Sequence, residues 1–107
     1  MNTKSKAMKF LENLTGGPLT LGGLIWSIRE GEEMSMTSFA ELLGISRSHL
    51  NDIEKGNKAV SPQKAVEYAK ILGYSELQFV RFALQDLLNR YDLPYSVELS
   101  KRKGKRA

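Results

Sequence analysis

Residues 36–55, MTSFAELLGISRSHLNDIEK, decide the reading of this chain. Phe39, Ala40 and Leu43 put an apolar stripe on a first short helix. Gly44 follows at once, where a left-handed residue can end a helix without steric cost. Ile45 plugs the turn, and Ser46 offers a hydroxyl to cap a second helix. Leu50 and Ile53, three residues apart, turn that second helix inward. Arg47, Ser48, Asn51, Asp52 and Lys55 are left on its other side. Ala40 is as telling as Gly44, because two helices crossing steeply over a tight turn leave no room for a large side chain. A generic helical hairpin with a solvated face is the plain alternative. The small residue at 40, the glycine at 44, the cap at 46 and the five apolar positions together favour a DNA-binding helix-turn-helix.

The string MTSFAELLGISRSHLNDIEKG, with SPQKAVEYAKILGYS after it, makes residues 35–74 resemble the Xre/Cro family, the fold of lambdoid phage repressors. The wider stretch 19–99 also resembles HigA-type antitoxins. The resemblance implies an all-α, five-helix lambda-repressor-like bundle. It implies that Arg47, Ser48 and Asp52 read bases, while Met36 and Thr37 approach the DNA backbone. Many family members carry Gln where this chain has Met36. Met cannot make that hydrogen bond, although backbone N–H groups at the helix start can.

The rest of the chain fits around this motif. Thr20 is expected to cap a helix over 21–30, with Leu21, Leu24, Ile25 and Ile28 as its inward stripe and Gly31 as its end. Gly22 and Gly23 in its first turn weaken it but let a neighbour approach closely. Trp26 falls off the stripe and reads as a partly buried packing residue. Ser35 caps the first motif helix, and the second runs from Arg47 to about Lys55, ending at Gly56. Ser61-Pro62 is a strong helix start. Ala65, Val66, Ala69 and Leu72 bury that helix, Tyr68 and Ile71 flank it, and Gly73 ends it. Ser75 and Gln78 form a capping box for a fifth helix running to about Arg90.

That fifth helix carries Leu77, Phe79, Val80, Phe82, Ala83, Leu84, Leu87, Leu88 and Tyr91. This face is broader than one core needs, so a homodimer contact through residues 77–99 is expected. After Pro94, the alternating run Tyr95–Leu99 reads as a short strand extending that contact, or as a tail packed on its own domain. The domain map is then an arm at 1–18, a helix-turn-helix domain at 19–91, an extension at 92–100 and a basic tail at 101–107. In the arm, Met8, Leu11 and Leu14 could line a short helix that Thr15-Gly16-Gly17-Pro18 would stop.

Charge and composition bound the function. The chain of 107 residues carries +4 overall. Residues 101–107 hold five positives and no acid, and without them eleven basic residues face twelve acidic ones, a balance of −1. DNA binding must therefore come from a locally positive face, helped by a tail that attracts phosphate without reading sequence. With no cysteine and a single His49, neither a disulfide scaffold nor a metal site is expected. No cofactor is implied. No apolar run is long enough to span a membrane, the start lacks the apolar core of a signal peptide, and a reducing cytoplasm suits the composition. Catalysis finds no nucleophile–base pair and no Gly-rich phosphate loop.

The expected site is therefore Met36, Thr37, Ser46, Arg47, Ser48, Asn51, Asp52, Lys55, Asn57 and Lys58. Arg47 opens the recognition helix and can fork onto guanine, and Asn51 suits adenine. Thr37, Lys55, Asn57 and Lys58 suit phosphate. His49 is turned partly away from the groove and reads as structural. The family resemblance implies a structural role for Glu54, bracing the recognition helix against an arginine such as Arg29. The expected partner is double-stranded DNA, bound by a homodimeric repressor. The alternative is an antitoxin that neutralises a toxin enzyme and represses its own operon. Its toxin surfaces would be the arm, the broad apolar helix or the tail. A protein-binding adaptor is a third reading.

Overall fold

The computed structural model describes residues 20–103; the expected arm at 1–18 and the last four residues lie outside them. Five helices follow in order: α1 (Leu21–Gly31), α2 (Met36–Leu43), α3 (Arg47–Glu54), α4 (Pro62–Leu72) and α5 (Glu76–Arg90). The architecture is an all-α helix-turn-helix bundle. None of the described helices is long and apolar enough to cross a membrane.

Hydroxyl caps set the starts of all five described helices. Thr20, Ser35, Ser46, Ser61 and Ser75 each accept a hydrogen bond from the backbone N–H three residues on, at 2.9–3.2 Å. Each such cap satisfies one of the donors a helix start leaves orphaned and contributes about 1 kcal/mol. The box expected at Ser75 forms only its serine half, because the Gln78 side chain accepts from Arg81 instead. Gly44 ends α2 at φ 75°, with Ile45 N–H returning to the Ala40 carbonyl at 3.0 Å. At the end of α1, Gly31 is the last helical residue instead of the stop, and Glu33 takes the left-handed conformation at φ 56°.

Packing follows the apolar stripes. α4 lies along α5, α2 packs on α3 and α4, and α1 crosses both α3 and α5. Leu21, Leu24, Ile25, Ile28, Phe39, Leu50, Ile53, Phe79 and Phe82 fill the centre. Tyr68, expected only to flank the core, lies inside it, whereas its other flanking residue Ile71 stays exposed. Trp26 is half-buried against the core, as expected.

Two contacts position α1. Gly22 lies against the end of α3 so closely that a Cβ there would collide with the Ile53 carbonyl oxygen. At the start of α1, the Leu21 N–H donates to Asp86 Oδ2 of α5 at 3.0 Å. The other oxygen of Asp86 is buried with no hydrogen-bond partner among the described residues. Burial pushes the Asp86 carboxyl above its ordinary pKa, against the opposing pull of the Leu21 N–H and of Arg90.

The extended segment after α5 departs from the strand reading. Residues 93–102 form no regular secondary structure. They pack back on their own helix instead, held by Gln85. Its Nε2 donates to the Tyr95 carbonyl at 2.9 Å, and its Oε1 accepts from Val97 N–H at 2.8 Å.

The placement of α1 can be tested at both contacts. Gly22→Ala gains helix propensity worth about 1 kcal/mol, but its methyl must push backbone away, which costs about 1–3 kcal/mol or more. The urea midpoint of Gly22→Ala should therefore fall, while Gly31→Ala, whose Cβ meets nothing, should hold or rise. A Gly22→Ala variant as stable as wild type would refute the close approach. For Asp86, a folded pKa above the unfolded one contributes stability that is present at low pH and lost as pH rises through the folded value. Asp86→Asn keeps an acceptor for the Leu21 N–H and cannot ionise. Wild-type stability should therefore fall relative to Asp86→Asn as pH rises from about 4. Parallel pH profiles in urea melts would show that Asp86 carries no such linkage.

Candidate nucleic-acid interface

The interface begins at the N-terminal ends of α2 and α3 and the loop after α3. Ser46 Oγ accepts from His49 N–H at 3.0 Å and so fixes the first turn of α3. Arg47 and Ser48 follow it and are both exposed, as is Ser46 itself. The Ser46 hydroxyl still has its proton to donate outward. Asn51 and Asp52, one turn on, are half-buried, and so is His49. The first turn of α3 thus offers one guanidinium and two hydroxyls to an approaching surface.

The far end of α3 is fastened. Arg29 on α1 grips Glu54 with two parallel hydrogen bonds, Nε to Oε2 at 2.8 Å and Nη2 to Oε1 at 3.0 Å. The expected brace is therefore present, and its partner is Arg29. Only 11% of the Arg29 side chain and 4% of the Glu54 side chain reach solvent. The hydrogen bonds it donates to Glu54, aided by the charge of that carboxylate, hold the Arg29 guanidinium above its ordinary pKa in spite of burial. Arg29 Nη1 also donates to the Met34 carbonyl at 3.2 Å, which ties in the loop before α2. One guanidinium thus fixes α1, the approach to α2 and the end of α3.

The loop after α3 is set by Gly56 at φ 78°. Lys55, expected inside the helix, is its cap residue. The N–H groups of Asn57 and Lys58 both return to the Asp52 carbonyl, at 2.8 and 3.2 Å. Arg90 at the end of α5 donates to the Gly56 carbonyl at 3.2 Å. Lys55, Asn57 and Lys58 are consequently exposed on a loop held from both sides. On α2, Thr37 is exposed, while Met36 is half-buried against the core. Met36 thus offers a hydrophobic contact inward where a polar side chain could have reached out.

Of the ten expected residues, Thr37, Ser46, Arg47, Ser48, Lys55, Asn57 and Lys58 are exposed on these three segments, while Met36, Asn51 and Asp52 are half-buried. Two supporting residues are missed by the sequence reading, Asp86 under α1 and Gln85 under the tail. Both are polar positions interrupting the apolar run of α5, and that interruption is the available signal. Among the described residues no group of three or more His, Cys, Asp or Glu could hold a metal ion.

Residues 27–79, from the second half of α1 to the first turn of α5, match a protein-family model described as helix-turn-helix. No curated protein and no solved structure matches the chain. The match spans the Arg29–Glu54 brace, both motif helices and the whole exposed surface described above. Residues 27–79 therefore form a helix-turn-helix domain of the Xre/lambda-repressor-like kind found in DNA-binding regulators.

Proposed function

We propose that the chain is a sequence-specific transcriptional repressor that binds operator DNA as a symmetric dimer, with α3 in the major groove. The carrying observation is the asymmetry of α3. Its first turn presents Arg47 and Ser48 to solvent, while its last turn is locked through Glu54 to Arg29. A short helix held rigidly at one end and exposed at the other is suited to reading base edges. Arg47 forks onto guanine O6 and N7, and Ser48 contacts an adjacent base. Asn51 and Asp52 reach the groove wall one turn on. Thr37, Ser46, Lys55, Asn57 and Lys58 take phosphates, joined by the backbone N–H groups at Met36.

Exposed apolar side chains support the dimer. Leu87, Tyr91, Leu93 and Tyr95 all lie in one short stretch at the end of α5 and beyond it. A seam there would set two copies of α3 on half-sites about one helical turn apart, roughly 34 Å. As an antitoxin the same chain would use the same helix on its own operator, and a toxin enzyme would copurify with it.

The deciding measurement is fluorescence anisotropy with a duplex from the gene's own upstream region, against scrambled DNA, over a salt series. Wild type should prefer the native duplex. Arg47→Ala should lose about 1–3 kcal/mol of that preference, roughly 5- to 150-fold in affinity, with no loss of thermal stability. An adaptor protein would be indifferent to this change. Truncation after Ser100 should weaken both duplexes alike and flatten the salt slope by about 0.9 for each phosphate that the tail neutralises in the full chain. Equal affinity of wild type for both duplexes would overturn the repressor reading.

A further inference from the structure

We propose that the segment Tyr95–Leu99 pairs edge to edge with the same segment of a second copy, antiparallel, about a two-fold axis at Val97. The proposal rests on the dimer reading above and specifies its seam. It starts from the two hydrogen bonds of Gln85, which takes the carbonyl of Tyr95 and the N–H of Val97. In an extended chain the N–H and C=O of one residue point to the same edge, and those of the next residue to the opposite edge. Gln85 therefore occupies the edge of the odd-numbered residues, as a neighbouring strand would. The even-numbered residues, Ser96 and Glu98, present their N–H and C=O groups to the other edge. Among the described residues nothing hydrogen-bonds to the backbone of either.

An extended segment with one edge satisfied and one open is a template for strand addition. A second copy of the same segment completes it. With the axis at Val97, Ser96 faces Glu98 of the second copy and Glu98 faces Ser96. Each facing pair exchanges two hydrogen bonds, four in all, and Val97 faces Val97 between them. The same register sets Tyr95 across from Leu99 twice, an aromatic–aliphatic pair of the kind that stabilises sheets. Tyr95 is 63% exposed in the single chain, so it gains from this cover. The register also carries Lys101, Arg102 and Lys103 of each copy back toward Asp92 of the other, which favours antiparallel over parallel pairing.

An isolated two-stranded ribbon is marginal in water. This one is not isolated, because each strand is already bound along its outer side to Gln85 and lies on α5. The exposed Leu87, Tyr91 and Leu93 beside it supply further apolar area for a second copy to cover.

The chain has no cysteine, so single cysteines test the register directly. In the proposed pairing the two Val97 positions form a non-hydrogen-bonded pair with Cα atoms about 4.5 Å apart, within disulfide range. Two Ser96 positions, or two Glu98 positions, stand about 8 Å apart, outside it. In a glutathione redox buffer, full-length Val97→Cys should form a disulfide-linked dimer. Ser96→Cys alone and Glu98→Cys alone should form at least tenfold less. An equal mixture of those two should form the mixed disulfide. Glu98→Pro deletes an N–H on the open edge and should weaken dimerisation at least tenfold by light scattering, with the melting of the monomer unchanged. A wild-type dimer that neither cross-links at position 97 nor responds to Glu98→Pro would overturn this seam and leave the dimer reading standing. A wild type that stays monomeric with and without operator DNA would overturn both.

Discussion

The direction of α3 depends on the pair between Arg29 and Glu54. α3 has eight residues, far below the length at which a helix is stable alone in water. Two buried side chains, Leu50 and Ile53, hold its inner face, and the Arg29 fork holds its last turn. The pair is nearly dry, so it is not the weak surface ion pair that solvent screens away. Removing one partner of such a pair typically costs about 3–5 kcal/mol, because the other charge stays buried and unmatched. A small domain has only about 5–15 kcal/mol in total. The pair is therefore better understood as a device for geometry than as a source of net stability. It fixes which way the first turn of α3 points, and with it the direction from which the exposed Arg47 leaves the fold.

The same logic explains why α1 is built so tightly. Arg29 is useful only if α1 itself is placed, and α1 is short, with glycine at its second and third positions. Gly22 is the condition for closeness, since any side chain there would strike the Ile53 carbonyl. Its low helix propensity is offset at the same end by Thr20 and by Asp86 reaching across from α5. Asp86 is a compromise: one oxygen caps α1, while the other is buried without a partner among the described residues. A carboxylate in that position resists ionisation, which ties the placement of α1 to pH.

The helices are legible in the sequence because their punctuation is local. Five hydroxyl caps and the glycines at 44 and 73 are read from neighbours within four residues, and so is the apolar spacing that fills the core. The brace is legible in part, through the resemblance that marks Glu54 as structural, and Arg29 is the cation it meets. What is not legible depends on distance. Asp86 caps a helix sixty-five residues away, and no local pattern announces it. Tyr68 reads as marginal because a hydroxyl makes tyrosine ambiguous, whereas the small Ala65 and Ala69 leave room for its ring inside. The strand expected at 95–99 needs a partner to exist as a strand. In the single chain only one of its edges is held, by the Gln85 side chain.

These contacts join into one line through the molecule. Gln85 and Asp86 are adjacent on α5: one holds the extended segment, the other holds the start of α1. From there α1 reaches α3 twice, through Gly22 at Ile53 and through Arg29 at Glu54. Further along α5, Arg90 steadies Gly56 and with it the loop of Asn57 and Lys58. The helix that would carry the proposed dimer seam is thus in contact with the elements that set both α3 and the loop after it. Between α1 and α3 this line is stiff, because a close backbone approach and a bidentate, largely buried pair link them, whereas Arg90 reaches Gly56 through a single exposed hydrogen bond. In the proposed dimer, which would hold two reading heads at a fixed separation, that stiffness is the useful property. It would let the spacing of half-sites be set by the proposed backbone pairing at one end of α5 and be felt at Arg47 on the other side of the fold.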